Sequence, residues 1–316
     1  MNHIPSVDLR DFLSEDPSRK QKFINELHQA FSEIGFVALR GHFLDQKLVD
    51  ELYGQVKQFF SLEESIKKKY EIAGIGGQRG YTSFGKESAK GSSTGDLKEF
   101  WHFGQYDVPK NEDKQTYPDN VLVDEVPGFN QVGQEAFAQL QKTAVYVLRA
   151  LTYPLALPEH YFDEYVLQGN SILRAIHYPP ITEAPKNAVR AAAHGDINLI
   201  TLLMGAHGKG LQVKNHQGQW IDAIATEDEL MINVGDMLSR LTNNTLKSTI
   251  HQVVNPPQEL WGTSRYSIPF FMHPVSSMSL ACLPQCISES QPKGYEDITA
   301  GDFLRERLVE LGLIKG

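Results

Sequence analysis

The sequence predicts an α+β fold in which a mostly helical N-terminal region precedes a β-sandwich or a jelly-roll barrel. Two amphipathic helical patterns lie in the first third of the chain, at 14–35 and 45–71. After about residue 170 the sequence changes to short apolar runs separated by Gly, Pro and Asn, which are residues that form turns. These runs do not alternate with long helices, and this disfavours a parallel doubly wound sheet.

The elements before residue 170 follow from their periodicity and their end signals. In the first helix, Phe23, Leu27 and Phe31 lie on one stripe, and Gly35 ends the pattern. The stretch 74–96 is rich in Gly and Ser but lacks the Lys-Ser/Thr of a phosphate loop, so we predict a mobile loop near a binding site. In chain order the predicted elements are a strand at 4–9, a helix at 14–35, a strand at 36–43, one or two helices at 45–71 and a long helix at 128–158.

The second half of the chain supplies the predicted β-rich core. Several β-like runs joined by turn chemistry are typical of a sandwich or a jelly-roll barrel. The runs that we predict as strands are 171–178, 198–205, 210–215, 229–236, 248–255 and 264–273.

Composition and charge exclude several classes of protein. The 316 residues include 30 Lys and Arg against 39 Asp and Glu, a net charge of −9 that argues against nucleic acid as the main partner. Cys282 and Cys286 are too few for a disulfide scaffold and are not spaced as a zinc ribbon. No apolar run approaches the roughly 18 residues of a membrane span, and the N-terminus does not resemble a signal peptide. We therefore expect a cytoplasmic protein without a membrane partner, whose oligomeric state stays open.

A histidine and an aspartate head one of the apolar runs, HGDINLITLL (194–203). If this segment is a strand, His194 and Asp196 point to the same side, because side chains alternate between faces. His251, in the run STIHQVV, supplies a third candidate ligand. Two histidines and one carboxylate form the facial set that binds non-haem Fe(II) and leaves open positions for substrate and dioxygen. On these residues alone, a solvated turn with one structural histidine remains the simpler alternative.

An arginine and a serine share a strand face fourteen residues after His251. The guanidinium of Arg265 and the hydroxyl of Ser267 together form a natural receptor for a carboxylate. The alternative is a structural salt bridge between Arg265 and a distant acid.

The chain resembles the isopenicillin-N-synthase-like group of Fe(II)/2-oxoglutarate dioxygenases in the order and spacing of its motifs. The motifs that match the C-terminal half of that group are HGDINLITLL, GLQV, INVGDML, STIHQVVNPP and RYSIPFF. Its N-terminal region is matched by IPSVDL, GFVALRGHF and DLKEFWHFG. The resemblance implies a double-stranded β-helix (jelly-roll) core. It divides the chain into a mostly helical N-terminal dioxygenase region at 1–110, a connecting segment with a long helix at 111–165, a jelly-roll domain at 166–280 and a C-terminal tail with a helix at 281–316.

The resemblance also assigns roles to the candidate residues. It implies that His194, Asp196 and His251 are the iron ligands and that Arg265 and Ser267 hold the distal carboxylate of 2-oxoglutarate. Tyr178 matches the tyrosine of the group's N-x-Y motif, which helps to seat this cosubstrate. In this chain Ile176 stands where that motif has Asn, which puts a second polar contact to the cosubstrate in doubt.

The implied activity is that of a non-haem dioxygenase with Fe(II), 2-oxoglutarate and O2. Such an enzyme hydroxylates or desaturates a small organic molecule and releases succinate and CO2. Two alternatives stay open: an oxidase of the same fold that uses no 2-oxoglutarate, as isopenicillin N synthase does, and a non-catalytic jelly-roll module that only binds a ligand.

Strand parity adds two candidates for the substrate pocket. Phe271 shares the face of Arg265 and Ser267, and Asn198 shares that of His194 and Asp196. Core packing is the alternative for Phe271. The remaining candidate histidines, each predicted to be a hydrogen-bonded structural residue, are His102, His177 and His273.

Overall fold

The computed structural model describes residues 3–86, 98–108, 117–181, 190–205 and 210–310. The strands are β1 (Ser6–Asp8), β2 (Phe36–Arg40), β3 (Gly80–Thr82), β4 (Glu99–Gly104), β5 (Ile172–Tyr178), β6 (Ala191–His194), β7 (Ile200–Met204), β8 (Leu211–Lys214), β9 (Trp220–Asp222), β10 (Leu230–Val234), β11 (His251–Val253) and β12 (Arg265–Met272). The α-helices are α1 (Leu9–Phe12), α2 (Pro17–Glu33), α3 (Gln46–Phe60), α4 (Glu64–Lys67), α5 (Phe129–Thr152), α6 (Asp163–Val166), α7 (Asp236–Leu241) and α8 (Ala300–Glu310).

The strands form two sheets, which confirms the predicted jelly-roll core with flanking helices. The larger sheet has the strand order β1-β2-β10-β7-β12-β5-β4-β3, and the smaller sheet has the order β6-β11-β8-β9. All of these pairings are antiparallel except that of β1 with β2. Strands from the N-terminal third therefore lie in the same sheet as strands of the second half, while the exact domain boundaries stay a prediction.

The two faces of the larger sheet pack against different partners. On the outer face the ring of Phe270 packs edge-on against Phe137 of α5, with 5.1 Å between the ring centres. On the inner face Phe36 and Met231 pack with Leu211 and Val213 of the smaller sheet. This apolar cluster fills one part of the space between the sheets. The polar side chains His194, His251 and Arg265 lie in β6, β11 and β12.

Two of the long helices, α2 and α3, begin at aspartates that cap them. Asp16 accepts a hydrogen bond from the backbone N–H of Ser18 at the start of α2, and Pro17 occupies the first helical position. Asp45 caps α3 in the same way through Lys47. The predicted helix at 45–71 is thus divided into α3, α4 and a short 3-10 turn at Lys68–Tyr70.

The structure corrects the sequence prediction at the segment that carries the candidate ligands. The prediction placed His194 and Asp196 on one strand, but β6 ends at His194 and β7 begins at Ile200. Asp196 lies in the loop between these strands. The short strands β3, β6 and β9 were not predicted, because their three or four residues carry too little alternation to be recognised.

Two other sequence predictions concern segments outside the core. The predicted mobile loop at 74–96 lies partly outside the described residues, since 87–97 are not among them. Within its described part, 80–82 form the strand β3. Among the described residues, no helix combines the length and the apolar character that crossing a membrane requires.

Candidate metal centre and carboxylate pocket

Three predicted ligands converge at one end of the space between the sheets. Oδ1 of Asp196 lies 3.8 Å from Nε2 of His194 and 3.7 Å from Nε2 of His251. One ligand atom from each side chain lies within 4.8 Å of the others, and these three form the group among the described residues that could hold a metal ion. The separations are too long for direct hydrogen bonds. The three donor atoms therefore converge without satisfying one another.

Strand pairing brings the two histidines together. His194 ends β6 directly opposite His251 of β11, and their ring centres are 4.5 Å apart. Nδ1 of His194 lies 2.7 Å from the carbonyl oxygen of Ala192, and Nδ1 of His251 lies 3.1 Å from that of Thr249. A carbonyl can only accept, so each Nδ1 donates; in a neutral imidazole this leaves the lone pair on Nε2, the atom that faces the site.

The carboxylate of Asp196 is held by its second oxygen. Oδ2 accepts hydrogen bonds from the hydroxyl of Thr201 at 2.6 Å and from the side-chain amide of Asn233 at 2.7 Å. The carbonyl oxygen of Asp196 accepts from the backbone N–H of Asp236 at 2.7 Å. Oδ1 is thus left facing the histidines, as in metal sites whose ligands are oriented by neighbouring hydrogen bonds.

Asn198 supports this loop, and the structure does not place it against an open pocket as predicted. Its side chain is fully buried, and its amide donates to the carbonyl of Ile200 at 2.7 Å and to the hydroxyl of Thr201 at 3.1 Å. Gly235 passes so close that a Cβ there would lie 2.1 Å from the carbonyl oxygen of Asn198. The glycine allows the loop that carries Asp196 to pack against the end of β10.

The charges of the site favour the form that binds a cation. Burial acts to raise the pKa of Asp196, but the two histidines and the hydrogen bonds from Asn233 and Thr201 outweigh it and lower the pKa. Burial lowers the pKa of His194, and the neighbouring His251 adds to this effect. An ionised carboxylate beside a neutral imidazole is the protonation state that metal coordination requires.

The predicted carboxylate receptor lies on the inner face of the larger sheet. Arg265 of β12 pairs with Tyr178 of β5, and its guanidinium carbon lies 5.5 Å from the centre of the tyrosine ring. Nη1 of Arg265 is buried without a hydrogen-bond partner. The structure thus gives no support to the alternative of a structural salt bridge: among the described residues no acid pairs with Arg265.

Ser267 and Tyr178 are both buried beside this arginine. Ile176, the residue that departs from the N-x-Y motif, lies opposite Ser267 and packs with Tyr178 and Phe100. This position therefore offers an apolar wall where an asparagine would offer an amide.

Phe271 lies on the inner face at the level of the candidate metal centre. It pairs with Thr201 of the neighbouring strand β7, and the hydroxyl of Thr201 donates to Asp196. The guanidinium carbon of Arg174 lies 5.4 Å from the ring centre of Phe271 and 4.3 Å from that of Phe100. Nε of Arg174 donates to Nε2 of His102 at 2.6 Å. Two aromatic rings and a cation thus lie together on the inner face, next to the strand that holds Asp196 through Thr201.

Sequence reasoning missed the residues that support the site. Thr201 and Asn233 are polar residues within buried strands, and this is the signal that could have found them, because buried polar groups require partners. His177 is structural, as predicted: its Nδ1 donates to the carboxylate of Glu99 at 2.7 Å, and its Nε2 lies 3.0 Å from the hydroxyl of Ser264. His273 is buried and its Nδ1 has no hydrogen-bond partner.

Comparisons with known proteins agree with this arrangement. Residues 4–125 match the family model described as non-haem dioxygenase in morphine synthesis N-terminal, and residues 169–274 match that of the 2OG-Fe(II) oxygenase superfamily. A protein named proline hydroxylase buaE, from Petromyces alliaceus, is 30% identical over 97% of this chain and 99% of its own length.

Two solved structures are similar over nearly the whole chain. One, described as a 2OG-Fe(II) oxygenase family protein from Caulobacter crescentus, has 42% identity and a TM-score of 0.88, covering 98% of this chain and all of its own. The other is a full-length Neurospora crassa protein in complex with alpha-KG (2-oxoglutarate) and thymine, with 30% identity and a TM-score of 0.84, covering 97% of this chain and 96% of its own.

Proposed function

The chain belongs to the 2OG-Fe(II) oxygenase superfamily, and from this premise we propose which of its residues carry the reaction. The protein is a non-haem Fe(II)- and 2-oxoglutarate-dependent dioxygenase that oxidises a small organic molecule with release of succinate and CO2. The proposal assigns Fe(II) to His194, Asp196 and His251, and 2-oxoglutarate to Arg265, Ser267 and Tyr178. The observation that carries it is the convergence of Nε2, Oδ1 and Nε2 at one point.

The proposed ligands fit ferrous iron because two histidines and one carboxylate would hold the ion and leave further positions open for ligands. When bound, iron supplies the activation of dioxygen that these side chains do not provide themselves. The protein contributes orientation: the backbone carbonyls of Ala192 and Thr249 fix the imidazoles, while Thr201 and Asn233 fix the carboxylate.

The proposed cosubstrate pocket lies beyond the metal centre along β12. Arg265 and Ser267 point to the inner face four to six residues before Phe271, which lies at the level of the ligands. In this position the guanidinium of Arg265 would neutralise the far carboxylate of 2-oxoglutarate and leave its oxo-acid end for the metal. The oxidase alternative without 2-oxoglutarate belongs to the same superfamily, and the similar solved structures in complex with alpha-KG favour the 2-oxoglutarate-dependent reaction over it.

We propose that the primary substrate lies between Phe100 and Phe271, next to Arg174. Two aromatic rings favour a flat or apolar substrate. A solved relative in complex with thymine supports a small flat molecule of this kind. The acidic net charge of −9 supports an enzyme without a nucleic-acid partner, and we retain a cytoplasmic location as a prediction.

The proposal is tested by following succinate formation in the presence of Fe(II), 2-oxoglutarate and air. Asp196→Ala is expected to abolish both iron binding and succinate formation, because it removes the carboxylate ligand. Asp222→Ala, at an exposed position of β9, serves as the control and is expected to behave as wild type. Normal iron binding and turnover in Asp196→Ala would overturn the assignment.

A panel of small oxo-, amino- and ring-containing acids then identifies which compounds accelerate succinate formation. The acceleration is expected to be lost in Phe271→Ala while 2-oxoglutarate binding is retained. Acceleration that survives in Phe271→Ala would place the substrate elsewhere.

A further inference from the structure

A second arginine, Arg190, lies at the proposed cosubstrate pocket and has no function in the arrangement described above. Only 5% of its surface is exposed, and its Nε and Nη2 atoms are buried without a hydrogen-bond partner. A buried guanidinium normally pairs with a carboxylate or a carbonyl, because unpaired buried charge is costly. No acid among the described residues forms an ion pair with Arg190.

The position of Arg190 follows from the strand that carries the first metal ligand. It immediately precedes β6, and side-chain alternation places it on the face of Ala192 and His194. Its guanidinium carbon lies 5.6 Å from the ring centre of Tyr178, and that of Arg265 lies 5.5 Å from the same ring. One arginine therefore comes from the smaller sheet and the other from the larger sheet, and both lie against one tyrosine.

Two neighbouring cations without an anion are an unfavourable arrangement for a protein interior. Burial lowers the pKa of Arg190, and the positive charge of Arg265 lowers it further. Nη1 of Arg265 also lacks a partner, so at least three N–H donors of the two side chains are buried and unused. Such an arrangement persists in a folded protein where a bound anion completes it.

We propose that Arg190 and Arg265 together bind the distal carboxylate of 2-oxoglutarate, one from each sheet, so that Arg190 is a further cosubstrate-binding residue. The inference rests on the proposed function, because it takes Arg265 as the cosubstrate arginine. It goes beyond that function because it assigns a cosubstrate-binding role to Arg190, which immediately precedes β6 and lies four residues before the proposed ligand His194. The cosubstrate would thereby bridge the two sheets at the end of the pocket away from the metal.

The test compares 2-oxoglutarate with 2-oxovalerate, which has the same chain length and oxo-acid end but lacks the second carboxylate. Each is titrated anaerobically into the Fe(II)-loaded protein, and the visible band of the chelated metal reports its Kd. Hydrogen bonds to a charged partner contribute enough that Arg190→Gln should raise the Kd of 2-oxoglutarate about 10- to 100-fold. The Kd of 2-oxovalerate should be unchanged in the variant.

Two controls separate this role from a structural one. Arg190→Lys retains the charge and should recover part of the affinity, while Arg10→Gln, at an exposed surface pair, should bind both acids as wild type does. Removing an unpaired buried charge should leave the melting temperature of the metal-free protein unchanged or raise it. A lower melting temperature for Arg190→Gln would show that the arginine supports the fold, and would overturn the proposal.

The remaining outcomes also decide. An unchanged Kd of 2-oxoglutarate in Arg190→Gln, or an equal rise for both acids, contradicts the proposal. A raised KM for the primary substrate with an unchanged Kd of 2-oxoglutarate would assign Arg190 to a substrate carboxylate instead, and would also overturn it. Absence of any band with wild-type protein would be a failure of the proposed function itself, which distinguishes the two ideas.

Discussion

Two sets of buried charged side chains differ in how completely they pair within the protein. In the first, Glu99 of β4 binds Lys67 at 2.8 Å and His177 at 2.7 Å, and accepts a further hydrogen bond from Tyr81. In the second, three donor atoms of Arg190 and Arg265 are buried without a hydrogen-bond partner, and Oδ1 of Asp196 lies no closer than 3.7 Å to the two histidine nitrogens. The difference indicates that the cluster around Glu99 stabilises the fold, whereas the cluster with Asp196, Arg190 and Arg265 binds ligands.

This comparison shows why burial alone does not identify a functional site. Burial acts to raise the pKa of Glu99, yet its three partners lower it, just as the partners of Asp196 lower that of the aspartate. The clusters are distinguished by what remains unsatisfied once all contacts within the protein have been made. Removing a charge should therefore cost stability in the first cluster and ligand affinity in the second.

The largest expected effect comes from breaking the paired cluster. Glu99→Gln leaves the ammonium of Lys67 buried without its counter-charge, and such a loss destabilises proteins by about 3–5 kcal/mol. Urea unfolding of the metal-free protein measures this difference. Glu64→Gln, which removes an exposed pair with Lys68, is the control and should cost under about 1 kcal/mol. If Glu99→Gln had the same free energy of unfolding as wild type, the distinction between the two clusters would be wrong.

A smaller effect is expected from the support of the open cluster. Thr201→Val removes one of the two hydrogen bonds that orient Asp196, and loss of such a bond lowers metal affinity about 10- to 100-fold. Competition with a chelator measures the affinity for Fe(II). Thr201→Ser keeps the hydroxyl and should restore most of the binding. If Thr201→Val bound Fe(II) with wild-type affinity, the hydrogen bond from Thr201 would not be needed to orient the carboxylate of Asp196.

The smallest effect concerns a paired carboxylate at the start of β10. Ser6, Thr226 and Arg40 hydrogen-bond to Glu229. Burial acts to raise the pKa of Glu229, but these contacts lower it to about 2. A lowered pKa stabilises the folded state above the ordinary value of 4.5, and this contribution is lost as the pH falls from there toward 2.

Acid denaturation of Glu229→Gln measures this contribution. The variant should be less stable than wild type at pH 6, and the two should converge as the pH approaches 2. Glu227→Gln, at an exposed position two residues away, should follow the wild-type curve. A difference between wild type and Glu229→Gln that persists unchanged at low pH would show that ionisation has no part in it.

The sequence predicted which residues meet but not why they meet. His194, Asp196, His251 and Arg265 were found because their types and spacing match an iron site and a carboxylate receptor. The predicted reason for the first pair, a common strand face, was wrong, since Asp196 is positioned by a loop held through Asn233. A contact between residues 37 positions apart leaves no local signal in a single sequence.

The fold was predictable to a similar depth. The runs that became β5, β7 and β12 were recognised to within two residues of their true ends, and the start of α5 to within one, but the predicted end of that helix at 158 lies six residues beyond its true end at Thr152. The pairing of β6 with β11 was not, although it places both histidines, because strand register depends on distant partners and not on local pattern. Arg190 was missed for the same reason, since only that pairing shows which pocket it enters.

The ligands of the proposed metal centre differ in what anchors them, and this has a consequence for how the site can change. The two imidazoles are hydrogen-bonded to main-chain carbonyls, which every residue type provides, so no neighbouring side-chain replacement can release them. The carboxylate depends on the hydroxyl and amide of two particular side chains. Substitutions around Asp196 should therefore change the metal affinity during evolution more readily than substitutions around His194 or His251.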